Sequence, residues 1–199
     1  MSSRSRVFLV TGVPGTGKTT VALMLASRVG GAHIELSELA MREGLVTGFD
    51  ELRETHIVDP EGMREKIFRV IEDGKGPLVF DGHFAPEVVP PEKVSLAFVL
   101  RRAPWRLEEE LRSRGYGEGK VRENVEAELL DVCLVEAIKN LGPERVCEVD
   151  TTGKKPEEVV EEMMAVIQGT KPCRYRIVDW LSHDESRRLL GGDEGRTSS

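Results

Sequence analysis

The chain reads as an α/β protein, a five-stranded parallel sheet flanked by helices on both faces. Three observations predict this class. Short apolar runs alternate with segments whose apolar residues recur every three or four positions, the sequence form of a strand-helix repeat. The first run passes through a glycine-rich turn directly into the first helical segment. The residue types able to carry chemistry gather where the runs end, which is where an open parallel sheet presents its ligand sites.

Val7 to Thr11 is the first strand, and Val21, Leu25 and Val29 mark one face of the helix behind it. Gly30-Gly31 ends that helix, and His33 to Leu36 reads as a brief second strand. The stretch that follows is polar and irregular as far as Val58. Asp59-Pro60 supplies a helix cap and a first-turn proline, with Met63, Ile67 and Ile71 spaced behind them. Pro77 to Asp81 and Val94 to Leu100 are strands, and Pro104 opens a helix through Leu107 and Leu111. Val121, Val125, Leu129, Cys133, Ala137 and Leu141 predict one long helix from about Lys120 to Leu141. Arg145 to Val149 is a fifth strand and Pro156 to Ile167 a helix. Past Gly169, Tyr175 to Leu181 and a capping-box helix from Ser182-x-x-Glu185 to Leu190 form an appendage of residues 171–190, expected to dock as a packing element. Residues 191–199 read as a flexible polar tail.

Of 199 residues, 39% are hydrophobic and 32% charged, the balance of one globular domain with a heavily charged surface. No apolar run is long enough for a bilayer, so no membrane role is expected. Met1 to Arg6 lead into too short an apolar run for a secretion signal, which points to an intracellular, cytoplasmic protein. A net charge of -7 provides no global basic field, so direct nucleic-acid binding is not indicated. Cys133, Cys147 and Cys173 lack metal-ligand spacing and read as buried thiols.

Gly12-Val-Pro-Gly15-Thr-Gly17-Lys18-Thr19 satisfies G-x-x-x-x-G-K-[ST] between a strand and a helix. Such a loop curls so that backbone N–H groups point at one anion, and the next helix adds its positive end. A nucleoside triphosphate, ATP, is the fitting ligand: Lys18 reaches its outer phosphates, and the Thr19 hydroxyl suits magnesium. Asp81, at the end of the apolar strand Leu78-Val79-Phe80, is the matching carboxylate for Mg2+. His83 has three readings: it orients an attacking water or acceptor hydroxyl, it holds Asp81, or it only bonds within its loop.

Phosphoryl transfer also needs cations that close over the moving group. Arg112-Ser-Arg114-Gly-Tyr116-Gly-Glu-Gly-Lys120 offers them between two helices, with glycines suited to a hinged lid. Arg101 and Arg102 end a strand at the same rim and read as surface residues. Thr151 to Pro156 reads equally as a loop around the base or a plain helix lead-in.

The segments Thr11 to Thr20, Asp81-Gly-His83, Phe98-Val-Leu-Arg101 and Arg112-Ser-Arg-Gly-Tyr116 resemble the small adenylate kinase-like P-loop proteins of archaea and eukaryotes called adenylate kinase isoenzyme six, or coilin-interacting nuclear ATPase. The resemblance runs from Val7 to Ile167. It implies ATP binding by Gly15, Gly17, Lys18, Thr19 and Thr20, with Arg114 acting from a lid of about residues 113–123 and Lys155 near the base. It further implies a monophosphate-binding insert over about residues 35–58, and magnesium binding and hydrolysis by Asp81 with His83. The implied activities are nucleoside monophosphate kinase, with AMP as acceptor, and an ATPase serving small ribosomal subunit maturation through a ribosomal protein or the pre-ribosomal subunit. In a eukaryote the resemblance also allows a nuclear location. Two departures stand out. Glu87 occupies the region where ordinary adenylate kinases place an acceptor-gripping arginine, and Arg42, the candidate acceptor cation, is shifted one position from the family's usual arginine. ATPase switching of a ribosomal partner, or a kinase for another metabolite, are the competing readings.

Overall fold

The computed structural model describes residues 6–50 and 55–190; the expected tail 191–199, part of the insert and nearly all of the N-terminal segment lie outside them. A parallel sheet of five strands has the order β2-β5-β1-β6-β7. Its strands are β1 (Val7–Thr11), β2 (Ala32–Glu35), β5 (Leu78–Asp81), β6 (Val94–Arg101) and β7 (Val146–Asp150). All five residues of β1 are buried, as a central parallel strand covered on both faces requires. Val7 and Leu9 point into one apolar layer, Phe8 and Val10 into the other.

On the Leu9 face pack α2 (Leu36–Arg42), α3 (Pro60–Asp73), α4 (Ala85–Val88) and α7 (Val132–Leu141). On the Phe8 face lie α1 (Lys18–Val29) and α8 (Pro156–Ile167). A third cluster joins Val13 to α5 (Pro104–Ser113), α6 (Glu118–Leu129) and Trp180. The register sets Val10 beside Asp81 on one side and Phe98 on the other, so the first loop and the end of β5 emerge together. Helix α1 ends where Gly30 turns left-handed at φ 65° and Gly31 N–H bonds Ala26 O at 2.8 Å.

Several expectations need correction. The second strand stops at Glu35, because that carboxylate caps α2 by accepting from Ser37 N and Glu38 N at 3.0 and 2.7 Å. The stretch read as irregular holds α2 and an antiparallel hairpin of β3 (Val46–Asp50) and β4 (Thr55–Val58). The long helix is two: Asp131 adopts φ 56°, a left-handed turn that aspartate tolerates, and the buried face shifts phase to Leu134, Ala137 and Leu141. Cys147 and Cys173 are not thiols but a disulfide, their Cα atoms 5.1 Å apart. The appendage runs beside β7, where Glu148 N–H donates to Arg174 O at 2.8 Å, and this tertiary contact makes the pair. Ser182 does not close a capping box over α9 (Asp184–Leu190); its hydroxyl donates to Asp179 O at 2.8 Å.

Arg101 is not a surface residue either: it is 1% exposed. Its Nε donates to Glu128 Oε1 at 2.8 Å, its Nη2 to Asp131 Oδ1 at 2.5 Å, and its Nη1 to Glu148 Oε1. Burial disfavours the guanidinium charge, but the facing carboxylates outweigh it and raise the Arg101 pKa further. Glu128 Oε1 also accepts from Trp180 Nε1 at 2.9 Å, which docks the appendage on the core. Among the described residues no helix is long and apolar enough to cross a membrane.

Candidate active site

The loop from Gly12 to Thr19 is curled, not extended. Gly15 has φ 90°, a conformation that suits glycine, and a Cβ there would push against Leu107 Cδ1 of α5 at 2.7 Å. Inside the curl, the Thr16 hydroxyl and Lys18 Nζ both donate to Val13 O, at 2.9 and 3.0 Å. A cavity of about 280 Å3 opens over the loop, bounded by Gly15, Gly17, Lys18, Thr19 and Thr20, by Glu35 and Asp81 from the neighbouring strand ends, and by His83, Arg114 and Tyr116. Burial lowers the Lys18 pKa, opposed by the negative charges of Asp81 and Glu35.

Asp81 is buried, and its Oδ2 lies 3.0 Å from His33 Nε2. The residue bonded to this carboxylate is therefore His33, a strand residue to which the sequence assigns no role. Thr19 and Asp81 line one space, and a hydroxyl with a carboxylate is a hard oxygen donor set that suits magnesium. No group of three His, Cys, Asp or Glu forms an independent metal site among the described residues.

His83 borders the phosphate cavity and two neighbours. One, about 270 Å3, lies against the hairpin and α2, walled by Ala40, Val46, Val58 and Val88 with Ser37, His56 and Glu87 as its polar points. The other, about 490 Å3, reaches α6 and α7 at Asn124, Val132, Cys133 and Glu136. The His83 ring packs edge-on to Phe84, its centroid 5.1 Å away. The ring stays exposed to the cleft, yet desolvation by the cleft walls, then the Lys18 charge, push its pKa below the ordinary imidazole value and favour the neutral form. Burial and Glu87 together raise the Glu136 pKa.

Arg114 follows α5 on the cavity rim, and its Nε donates to Glu110 Oε1 at 2.8 Å. Gly115 beside it has φ 79°. Arg102 reaches under the loop, donating from Nη1 to Gly15 O at 3.2 Å.

Residues 9–131 match the family model described as AAA domain. A "Putative adenylate kinase" of Thermococcus kodakarensis is 43% identical over 176 residues, covering 87% of this chain and 92% of the relative. A protein of the same name from Pyrococcus furiosus is 43% identical over 192 residues, 94% of this chain and 99% of its own. The chain belongs to this adenylate kinase-like family. Solved structures share the fold at lower identity. A thymidylate kinase from Candida albicans has TM-score 0.54 at 16% identity, covering 87% of this chain and 96% of its own. A shikimate kinase from Bacteroides thetaiotaomicron has TM-score 0.53 at 18%, covering 82% and 98%.

In this adenylate kinase-like chain, two expected ligand residues stand apart from the three cavities around His83. Arg42 sits in the last turn of α2, exposed, with its Nε 3.5 Å from Glu43 Oε1. Lys155 precedes α8, its N–H donating to Glu158 Oε2 at 2.7 Å. The Thr151 to Lys155 loop is docked on the start of α5 by Thr152 Oγ1, which accepts from Ala103 N at 2.8 Å. His33, Glu35, Arg102 and Glu110 were missed as site residues. Of these only Arg102 carried a readable signal, its place at a strand end on the same rim.

Proposed function

We propose that the chain is a magnesium-dependent nucleoside monophosphate kinase that transfers the terminal phosphate of ATP to a monophosphate, with AMP the first acceptor to test. The observation that carries this reading is the placement of His83, shared by the phosphate cavity and the apolar cavity beside the hairpin. A triphosphate over Gly15 to Thr20 and a nucleobase between α2, the hairpin and α4 would bring donor and acceptor together at that ring. The region 35–58 is then the monophosphate-binding insert, residues 113–123 the lid, and the family subgroup that of isoenzyme six.

Loop amides and Lys18 would bind the phosphates, and Arg114 would turn inward to share the charge of transfer. Thr19 and Asp81 would hold magnesium, which neutralises phosphate charge when bound. His33 orients Asp81, and neutral His83 is suited to accept a hydrogen bond from an acceptor hydroxyl or water. Thr151 to Lys155 would border the adenine, with Lys155 supplying a cation from solvent.

One observation favours a second reading, ATP hydrolysis in the service of a small-subunit ribosomal protein. Among the described residues, the hairpin-side cavity has no arginine or lysine on its walls to grip an acceptor phosphate, and Glu87 stands there instead. ATP consumption measured with each nucleoside monophosphate, with none, and with the ribosomal protein separates the two. ADP formed at twice the rate of AMP loss supports the kinase. Consumption indifferent to every monophosphate would overturn it.

A further inference from the structure

We propose that Glu110 is a positioning residue that parks Arg114 at the rim of the phosphate cavity until a triphosphate arrives, and that Arg102 is its counter-charge during the exchange. This rests on reading the cavity as a triphosphate site.

Glu110 lies on α5, one turn before Arg114. Both Nε and Nη2 of Arg114 reach its Oε1, at 2.8 and 2.7 Å. Its other oxygen, Oε2, faces Arg102 Nη2 at 3.5 Å. Arg102 in turn donates from Nη1 to Gly15 O at 3.2 Å, and its backbone N–H is held by Glu128 Oε1 at 3.2 Å. A chain of contacts thus runs from the phosphate loop through Arg102 and Glu110 to Arg114.

The geometry keeps this chain in register with the loop. Leu107 and Leu111 of α5 press on Gly15 so closely that a Cβ there would meet them at 2.7 and 3.1 Å. Glu110 is therefore placed relative to the loop by packing, and Arg114, just past the end of α5, is the group that moves.

An incoming triphosphate carries more charge than one carboxylate and offers Arg114 several acceptors, so the guanidinium transfers to it. Left alone, the Glu110 carboxylate would repel the phosphates. Arg102 prevents this by remaining beside it, and Arg102 Nε, buried without a hydrogen-bond partner, has donor capacity to spare for the freed carboxylate. Arg114 and Glu110 are 48% and 29% exposed as side chains, so water screens their pairing. Parking then weakens triphosphate binding only modestly, about two- to fivefold.

The test is calorimetric binding of a non-hydrolysable ATP analogue with magnesium to the full chain, with a melting curve on each variant to verify folding. Glu110→Gln is expected to bind about two- to fivefold tighter than the wild type, and the gain to vanish in the Glu110→Gln, Arg114→Ala double variant. Arg102→Ala is expected to bind more weakly, with Arg102→Lys intermediate and Glu110→Gln restoring part of the loss. A purely structural Glu110 would instead lose affinity when changed. Unchanged or weaker binding by Glu110→Gln, or a gain that persists without Arg114, overturns the proposal. A wild-type chain that binds no analogue overturns the triphosphate reading beneath it.

Discussion

His33 Nε2 stands 3.0 Å from Asp81 Oδ2 across the β2 and β5 strand ends, so the buried carboxylate facing the phosphate loop is aimed by a residue from the neighbouring strand. The register pairs Glu35 with Asp81 and places His33 two residues back on the same sheet face. If Asp81 holds magnesium, His33 sets its orientation without touching the metal. His33→Ala is expected to raise the magnesium concentration needed for half-maximal ATP turnover by about tenfold. Superimposable magnesium titrations for variant and wild type would remove His33 from the site.

His83 gives a pH prediction whose sign is set by desolvation from the cleft walls and the nearby Lys18 charge, which lower its pKa. If His83 accepts the proton or hydrogen bond of the acceptor, its neutral ring is the working form, and turnover should hold as pH falls past the ordinary imidazole value of about 6.5 and decline only below it. Stability follows the same direction: the unfolded chain binds the proton first, so folding loses His83-linked stability as pH drops through that window. His83→Gln should lower the rate and flatten the acid limb of the profile. An acid limb identical in the variant would assign the titration to another group.

The fold was legible where burial dictates composition. Strands β1, β5 and β6 are covered on both faces, so Val, Leu and Phe run almost unbroken and no alternation is needed to find them. The hairpin was not legible because Phe49 and Ile57 are about half exposed and Gly48 interrupts β3, leaving neither a clean alternation nor a continuous apolar run. The break at Asp131 was hidden by apolar spacing that continues through it. Within the site, Lys18 and Thr19 stand out by their fixed offsets in the phosphate loop and Asp81 by its place at the end of an apolar strand, and all three line one cavity. His33 and Glu110 were not, because their roles come from partners brought near by strand pairing and helix packing, and no local spacing records them.

Arg101 shows the same difficulty in the core. A charged residue at a strand end is ordinarily solvated, yet here its three acidic partners come from residues 27 to 47 positions later. Arg101→Leu leaves Glu128 and Glu148 buried and uncompensated, and is expected to destabilise the fold by about 3–5 kcal/mol. Denaturant unfolding measures it. A loss below about 1 kcal/mol would mean that the carboxylates take up protons or water at little cost.

The disulfide offers a stability prediction with a functional arm. Cys147 on β7 and Cys173 in the appendage enclose a separation of 26 residues, and closing such a loop stabilises by about 3 kcal/mol through the unfolded chain. Beyond Cys173 the appendage carries Ile177, whose N–H donates to Glu148 Oε2 at 2.8 Å, and Trp180, whose indole binds Glu128. Those two acids, with Asp131, neutralise Arg101, and Glu128 also holds the backbone of Arg102 behind the phosphate loop. Cys173→Ser should therefore lower the melting temperature and expose the segment after Gly169 to protease. Nucleotide affinity should fall less than stability, because Trp180 retains its packing against Trp105, ring centroids 5.8 Å apart. Equal melting temperatures for the oxidised wild type and Cys173→Ser would show that the appendage is held by its aromatic and hydrogen-bonded contacts alone.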